Sequence, residues 1–129
     1  MLVEFTRHIL ITTPEHDEGF FVAGDRTVVT LIADHGQTVD LGAHDGPYLA
    51  VPRDAFRVIE NPTAYEGPPV EACGHCQKPI GEPAFWAGEV DGAQKAVCLM
   101  CWNLHGRPGT GHRYEYDSES GLFLEAAGI

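Results

Sequence analysis

Hydrophobic positions in the first sixty residues fall in short runs that alternate with turn-forming residues. Runs at Val3–Ile11, Phe20–Ala23, Thr27–Ala33, Gln37–Leu41, Tyr48–Val51 and Phe56–Glu60 are rich in β-branched and aromatic side chains. Gly24-Asp25, Asp34-His35-Gly36, Asp45-Gly46-Pro47 and Pro52-Arg53-Asp54 punctuate them. This spacing predicts five or six strands, wound as a small barrel or sandwich, with a one-turn break at Pro52–Ala55. The pattern then stops. Asn61–Pro69 holds three prolines and a glycine with little apolar periodicity, so residues 61–70 read as a linker between a β domain at 1–60 and a second module at 71–129.

In the second module, Phe85–Val97 has Asp91-Gly92 at its centre. Asp-Gly suits a type I′ turn, in which both central residues take positive φ and the twist matches that of paired strands. The resulting register sets Val90 opposite Ala93, Trp86 opposite Val97 and Phe85 opposite Cys98. Leu99–His105 has helix-compatible residues and stops at Gly106, with Pro108 beyond. Arg107–Gly111 reads as a flexible loop; it lacks the Gly-Lys-Ser/Thr ending of a phosphate-binding loop. His112–Asp117 and Leu122–Glu125, around Ser118–Gly121, read as a final hairpin.

The chemistry is concentrated in four cysteines, Cys73, Cys76, Cys98 and Cys101, arranged as two Cys-x2-Cys brackets separated by twenty-one residues. Two such brackets supply four soft thiolates to a tetrahedral zinc ion. Two local disulfides or a redox Cys-x-x-Cys are the alternatives, although a redox motif normally occurs singly. A segment of about thirty residues cannot offset its conformational entropy by apolar burial alone, and zinc contributes on the order of 10 kcal/mol in finger peptides. Phe85, Trp86, Trp102 and Leu104 are the expected small core around it. His75 and His105 are the histidines placed to replace a cysteine ligand, but four cysteines already close the shell.

Knuckle, hairpin, then a helix whose first turn carries the second bracket: from Cys73 to His105 this order resembles a treble-clef zinc finger. Lys78-Pro79-Ile80 after the first knuckle is similar to LIM-type fingers, although only one pair of brackets is present. The resemblance implies a structural zinc held by Cys73, Cys76, Cys98 and Cys101. The first half, through Phe21–Val29 and Tyr48–Pro52, resembles SH3-like barrels without the aromatic cluster that binds proline-rich peptides. The expected fold is therefore mainly β with a short helix, a small SH3-like barrel followed by a treble-clef zinc module.

Charge narrows the function. The chain carries a formal net charge of −11. Residues 1–60 hold ten acids against four arginines, and residues 61–129 hold nine acids against Lys78, Lys95, Arg107 and Arg113. A four-thiolate zinc centre adds about two further negative charges. Direct nucleic-acid binding, which draws on clustered Lys and Arg, is disfavoured, and another protein with a basic surface is the expected partner. That partner includes the possibility of a nucleic-acid-processing machine; the same acidity would also serve solubility alone. The N-terminus lacks the basic stretch and apolar core of a secretory signal, so the expected location is cytoplasmic.

Enzyme readings compete with the binding module. His16-Asp17-Glu18 with Cys73 and Cys76 matches parts of a zinc deaminase signature, but no proline directly precedes Cys73 and the second bracket is left unexplained. His105 and His112 invite a nuclease reading, against which stand the acidic surface and the lack of a paired His-Asn-His element. A closed four-sulfur shell also leaves no exchangeable position for water. Ser118 and Ser120 sit in an expected turn, without a Gly-x-Ser-x-Gly elbow. The expectation is a non-catalytic, zinc-stabilised interaction module or regulator, with a zinc enzyme of deaminase or nuclease type, or a nucleic-acid-binding zinc finger, as the alternatives.

Overall fold

The computed structural model describes residues 1–15, 18–44, 46–80 and 83–129. His16 and Asp17 of the deaminase-like triplet, and Asp45 of one expected turn, lie outside the described residues. The chain divides into two compact units, Met1–Pro62 and Thr63–Ile129. Among the described residues the structure is mainly β, with one short α-helix, and its strands form three antiparallel sheets.

The first unit contains β1 (Leu2–Phe5), β2 (Ile9–Thr12), β3 (Glu18–Phe21), β4 (Arg26–Val28), β5 (Thr30–Asp34), β6 (Thr38–Ala43), β7 (Gly46–Pro52) and β8 (Phe56–Val58). They form a three-stranded sheet, β4-β1-β8, and a five-stranded sheet, β3-β2-β7-β6-β5. Neither sheet closes into a barrel, which corrects the expected closure. The chain changes sheet at two places. The run Val3–Ile11 breaks at the exposed triplet Thr6-Arg7-His8, and Thr27–Ala33 breaks at Val29. At these corners the backbone N–H of Thr6 bonds to the Ala55 carbonyl, and that of Val29 to the Met1 carbonyl, both at 2.8 Å. These bonds extend the β1–β8 and β1–β4 pairings by one residue each before the chain leaves for the other sheet.

Alternation places Val3, Phe5, Ile9, Ile11, Val39 and Leu41 in one core with Val29, Tyr48, Val51 and Ala55. Glu4, on the outer side of β1, faces Arg26 on β4 and Arg57 on β8 and accepts from both guanidinium groups, at 3.0 and 2.8 Å. The break at Pro52–Ala55 is a single 3-10 turn, Arg53–Ala55, followed by β8. Its buried Ala55 packs into the core.

The second unit orders β9 (Ala84–Val90), β10 (Ala93–Val97), β11 (His112–Asp117) and β12 (Leu122–Gly128) as β10-β9-β11-β12, with helix α1 (Leu99–His105) between β10 and β11. The β9–β10 register pairs Val90 with Ala93 and Trp86 with Val97, as the turn predicts. Asp91 and Gly92 take φ of 51° and 85°. Cys98 falls just beyond the ladder and caps α1.

Part of the proline-rich stretch belongs to this unit. Ala64 bridges Leu124, the Tyr65 N–H bonds to the Phe123 carbonyl, and the Glu125 N–H bonds to the Thr63 carbonyl. Tyr65 then joins Phe85, Tyr114 and Phe123 in an aromatic cluster on one face of the sheet. The other face of β9 carries Trp86 and Val90, which pack with Cys73, Val97, Cys101 and Trp102. Phe85 and Trp86 therefore serve opposite faces, as adjacent strand residues must. Leu104, expected in the core, is 71% exposed, because α1 turns Cys101 and Trp102 inward instead.

Candidate metal centre

The first bracket is built by a short backbone loop. Ala72 bridges Pro79, the Cys73 N–H bonds to the Lys78 carbonyl, and the Gln77 N–H bonds back to the Cys73 carbonyl. To make this reversal Gln77 adopts φ of 68°, a left-handed conformation that favours glycine. Within the loop the N–H groups of His75 and Cys76 both point to the Cys73 Sγ, at 3.4 Å. The Gly74 N–H bonds to the Ala96 carbonyl at 2.8 Å and seats the loop against β10.

The second bracket comes from the end of β10 and the first turn of α1. Cys98 is extended, with ψ of 167°, and its carbonyl accepts the Trp102 N–H at 3.0 Å. Cys101 is buried in the following turn. The hairpin thereby returns Cys98 and Cys101 to the first loop, and all four Sγ atoms lie within 4.8 Å of one another. A tetrahedral zinc ion, about 2.3 Å from each sulfur, sets the sulfurs about 3.8 Å apart, so this donor set fits the ion with small side-chain adjustments. All four cysteines are free, and both brackets converge on one point, which is not the arrangement of two local disulfides.

The sulfurs are unequal in acidity. Burial resists ionisation of Cys73, but the backbone N–H groups of Cys76, Cys98 and His75 outweigh it and bring the thiol down to about 6. At Cys101 burial comes first and the neighbouring sulfurs reinforce it, so the thiol is pushed up to about 12. Four clustered thiolates repel one another, and a divalent cation offsets that repulsion. The donor set is thus one that a soft divalent ion completes.

Trp102 forms the floor beside the sulfurs. Its indole packs against Gly88, Gly106 and Gly111, and a Cβ on Gly88 or Gly111 would come within 2.8 or 2.6 Å of the ring. Gly106 ends α1 with extended backbone, φ −72°, rather than a left-handed cap. Its glycine is explained by the indole against it. The loop Arg107–Gly111, expected to be flexible, is held: Gly109 and Gly111 N–H groups bond to the Ile129 carbonyl at 3.0 Å, and the Arg107 N–H bonds to the Glu89 carbonyl at 2.8 Å.

The other singled-out side chains fall elsewhere. His75 and His105 come together with Asp91, forming a cluster separate from the four sulfurs. The local sequence marks Asp91 only as a turn former, through Asp91-Gly92, and not as a donor. His112 pairs with Glu125 across the β11–β12 hairpin and does not join His105 in a nuclease-like constellation. Ser120 donates to Asp117 within the final turn, at 3.1 Å. Among the described residues no helix is long and apolar enough to cross a membrane.

Fold and site together define a mainly β chain with a four-cysteine cluster compatible with zinc. Compared with protein-family models, with curated proteins and with solved structures, the chain has no match.

Proposed function

We propose that this chain is a non-catalytic zinc-binding module whose second unit belongs to the treble-clef class and contacts another protein. The observation that carries the metal assignment is the convergence of Cys73, Cys76, Cys98 and Cys101 within 4.8 Å. Four thiolates close the zinc shell, so the ion acts by holding the loop, the β9–β10 hairpin and α1 together, not by activating water. The order of those elements supports the treble-clef reading.

The contact surface in this account is the outer face of α1. Met100 and Leu104, one helical turn apart, are 70% and 71% exposed, whereas Cys101 and Trp102 on the same helix are buried. Apolar side chains on a helix anchored by metal form a rigid centre for an interface, and the net negative charge of the chain favours a basic partner. Both units are acidic, which disfavours direct contact with phosphate backbones.

Metal analysis with thiol counting tests the reading. After desalting, one tightly held zinc per chain and protection of all four thiols are expected. Freely reactive thiols in one bracket of the metal-loaded chain contradict it. At the contact surface, Met100→Ser with Leu104→Ser should abolish capture of a partner retained by the native chain at low salt, with zinc content unchanged. Undiminished capture moves the interface elsewhere.

A further inference from the structure

We propose that His75, Asp91 and His105 form a second divalent-metal site, separate from the four-sulfur centre. Its ligand is zinc or a neighbouring first-row transition ion, and some of its coordination positions are left to water. The inference goes beyond the structural zinc and needs only the folded second unit.

Three different elements supply the donors. His75 sits in the loop of the first bracket, Asp91 in the β9–β10 turn, and His105 at the last position of α1. Backbone contacts fix each of them. Gly74 N–H to Ala96 carbonyl holds the loop on β10, while the Val90–Gly106 bridge and Arg107 N–H to Glu89 carbonyl hold the end of α1 beside the turn. Asp91 is constrained by its left-handed backbone, φ 51°. The convergence is thus a product of the fold and not of one flexible segment.

The distances leave room for an ion among the donors. The Nδ1 atoms of His75 and His105 lie 3.5 and 3.7 Å from the two Asp91 carboxylate oxygens. Both exceed the usual N–H···O range of about 2.7–3.2 Å, so the carboxylate closes a short hydrogen bond with neither ring. Donors about 2.0–2.1 Å from a tetrahedral ion stand about 3.4 Å apart, which is near the separation seen. The imidazole rings are 4.2 Å apart at centroid and tilted by 34°, and one donor atom from each of the three residues lies within 4.8 Å of the others.

Two imidazoles and one carboxylate suit zinc and its neighbours better than calcium or magnesium, which prefer all-oxygen shells. The side chains of His75, His105 and Asp91 retain 27%, 39% and 51% exposure, so water reaches the site and an ion there exchanges readily. Three protein donors with open positions are the arrangement in which zinc can take an exogenous ligand, which the sulfur centre cannot do.

Cobalt(II) titration of the metal-free 129-residue chain tests the proposal. Thiolate-to-cobalt absorption marks filling of the sulfur centre; a further equivalent that adds no thiolate band is expected for the histidine site. Asp91→Asn keeps a residue suited to the turn while removing the charge, and His105→Gln removes a donor at the helix end. Each should weaken the second equivalent by about a hundredfold or more, since outer-sphere partners alone are worth about 10–100-fold, and should leave the thiolate band intact. A native chain that takes only one equivalent, or a second equivalent unchanged in both variants, overturns the site. If Asp91→Asn also loses the thiolate band, His105→Gln decides. A first equivalent without thiolate absorption refutes the sulfur centre instead, and leaves the histidine site to be judged by its own variants.

Discussion

Trp102 shows how much of the second unit depends on single atoms. Its indole occupies the space that a Cβ on Gly88, Gly106 or Gly111 would take, and three different segments meet across it. Gly88→Ala or Gly111→Ala should therefore destabilise the metal-loaded unit by about 1–3 kcal/mol, the usual cost of overpacking, as read by urea unfolding with tryptophan fluorescence. Gln77 makes the opposite prediction. Its backbone is left-handed, so Gln77→Gly should stabilise the unit in the same experiment, by about 1 kcal/mol of relieved strain. At this scale the sequence discloses the thiolates, because Cys-x2-Cys spacing is local chemistry. It hides the reasons for the glycines: Gly106 reads as a helix cap and Gly111 as flexible loop, whereas each makes room for a tryptophan brought there by tertiary contact. It hides Asp91 as a donor for the same reason, since the histidines beside it come from segments distant in sequence.

Among the elements, β7 carries a bulge, and Asp40 on β6 stands opposite it. Leu49 and Ala50 on β7 stand opposite Asp40 alone, which lets Tyr48 and Val51 both face the core despite their odd spacing. Ala50 pays for this with φ of 51°, and its N–H donates to the Asp40 carboxylate at 2.9 Å. That backbone bond first, and the His35 side chain second, hold the Asp40 carboxyl below its ordinary range. Glu4 is lowered by Arg57 and then Arg26, and Asp34 by Arg53 and then the Gly36 N–H. A depressed carboxyl stabilises the fold above its unfolded pKa, about 4, and that contribution disappears as pH falls through the lower folded value. Amide signals of the first unit should accordingly lose protection on acidification below about pH 4, and Asp40→Asn should narrow the difference between neutral and acid conditions. An acid response identical in Asp40→Asn and the native chain refutes this role. The strand runs and the Asp91-Gly92 register were legible because alternation and turn chemistry are local. The corners at Thr6-Arg7-His8 and Val29 were not, because a change of sheet is decided by which carbonyls lie nearby.

For the whole molecule, two units of small size are stabilised in different ways. The first buries a continuous apolar core, whereas the core of the second is interrupted by the sulfur cluster it surrounds. The second unit is thus expected to need its ion to fold. Because Cys101 is pushed up to about 12, ionising the full set of sulfurs releases protons on metal binding, and apparent zinc affinity should fall as pH is lowered. Calorimetry in buffers of different ionisation enthalpy measures that release. Both tryptophans, Trp86 and Trp102, lie in the second unit, so fluorescence reports on that unit alone. The most direct measurement is chelation of the native chain, followed by tryptophan emission together with thiol count and released zinc. One zinc released, four thiols exposed and a red-shifted emission reversed by adding zinc are the predicted result. A chain whose emission is unchanged by chelation, with its four thiols equally reactive before and after, contradicts a zinc-held fold.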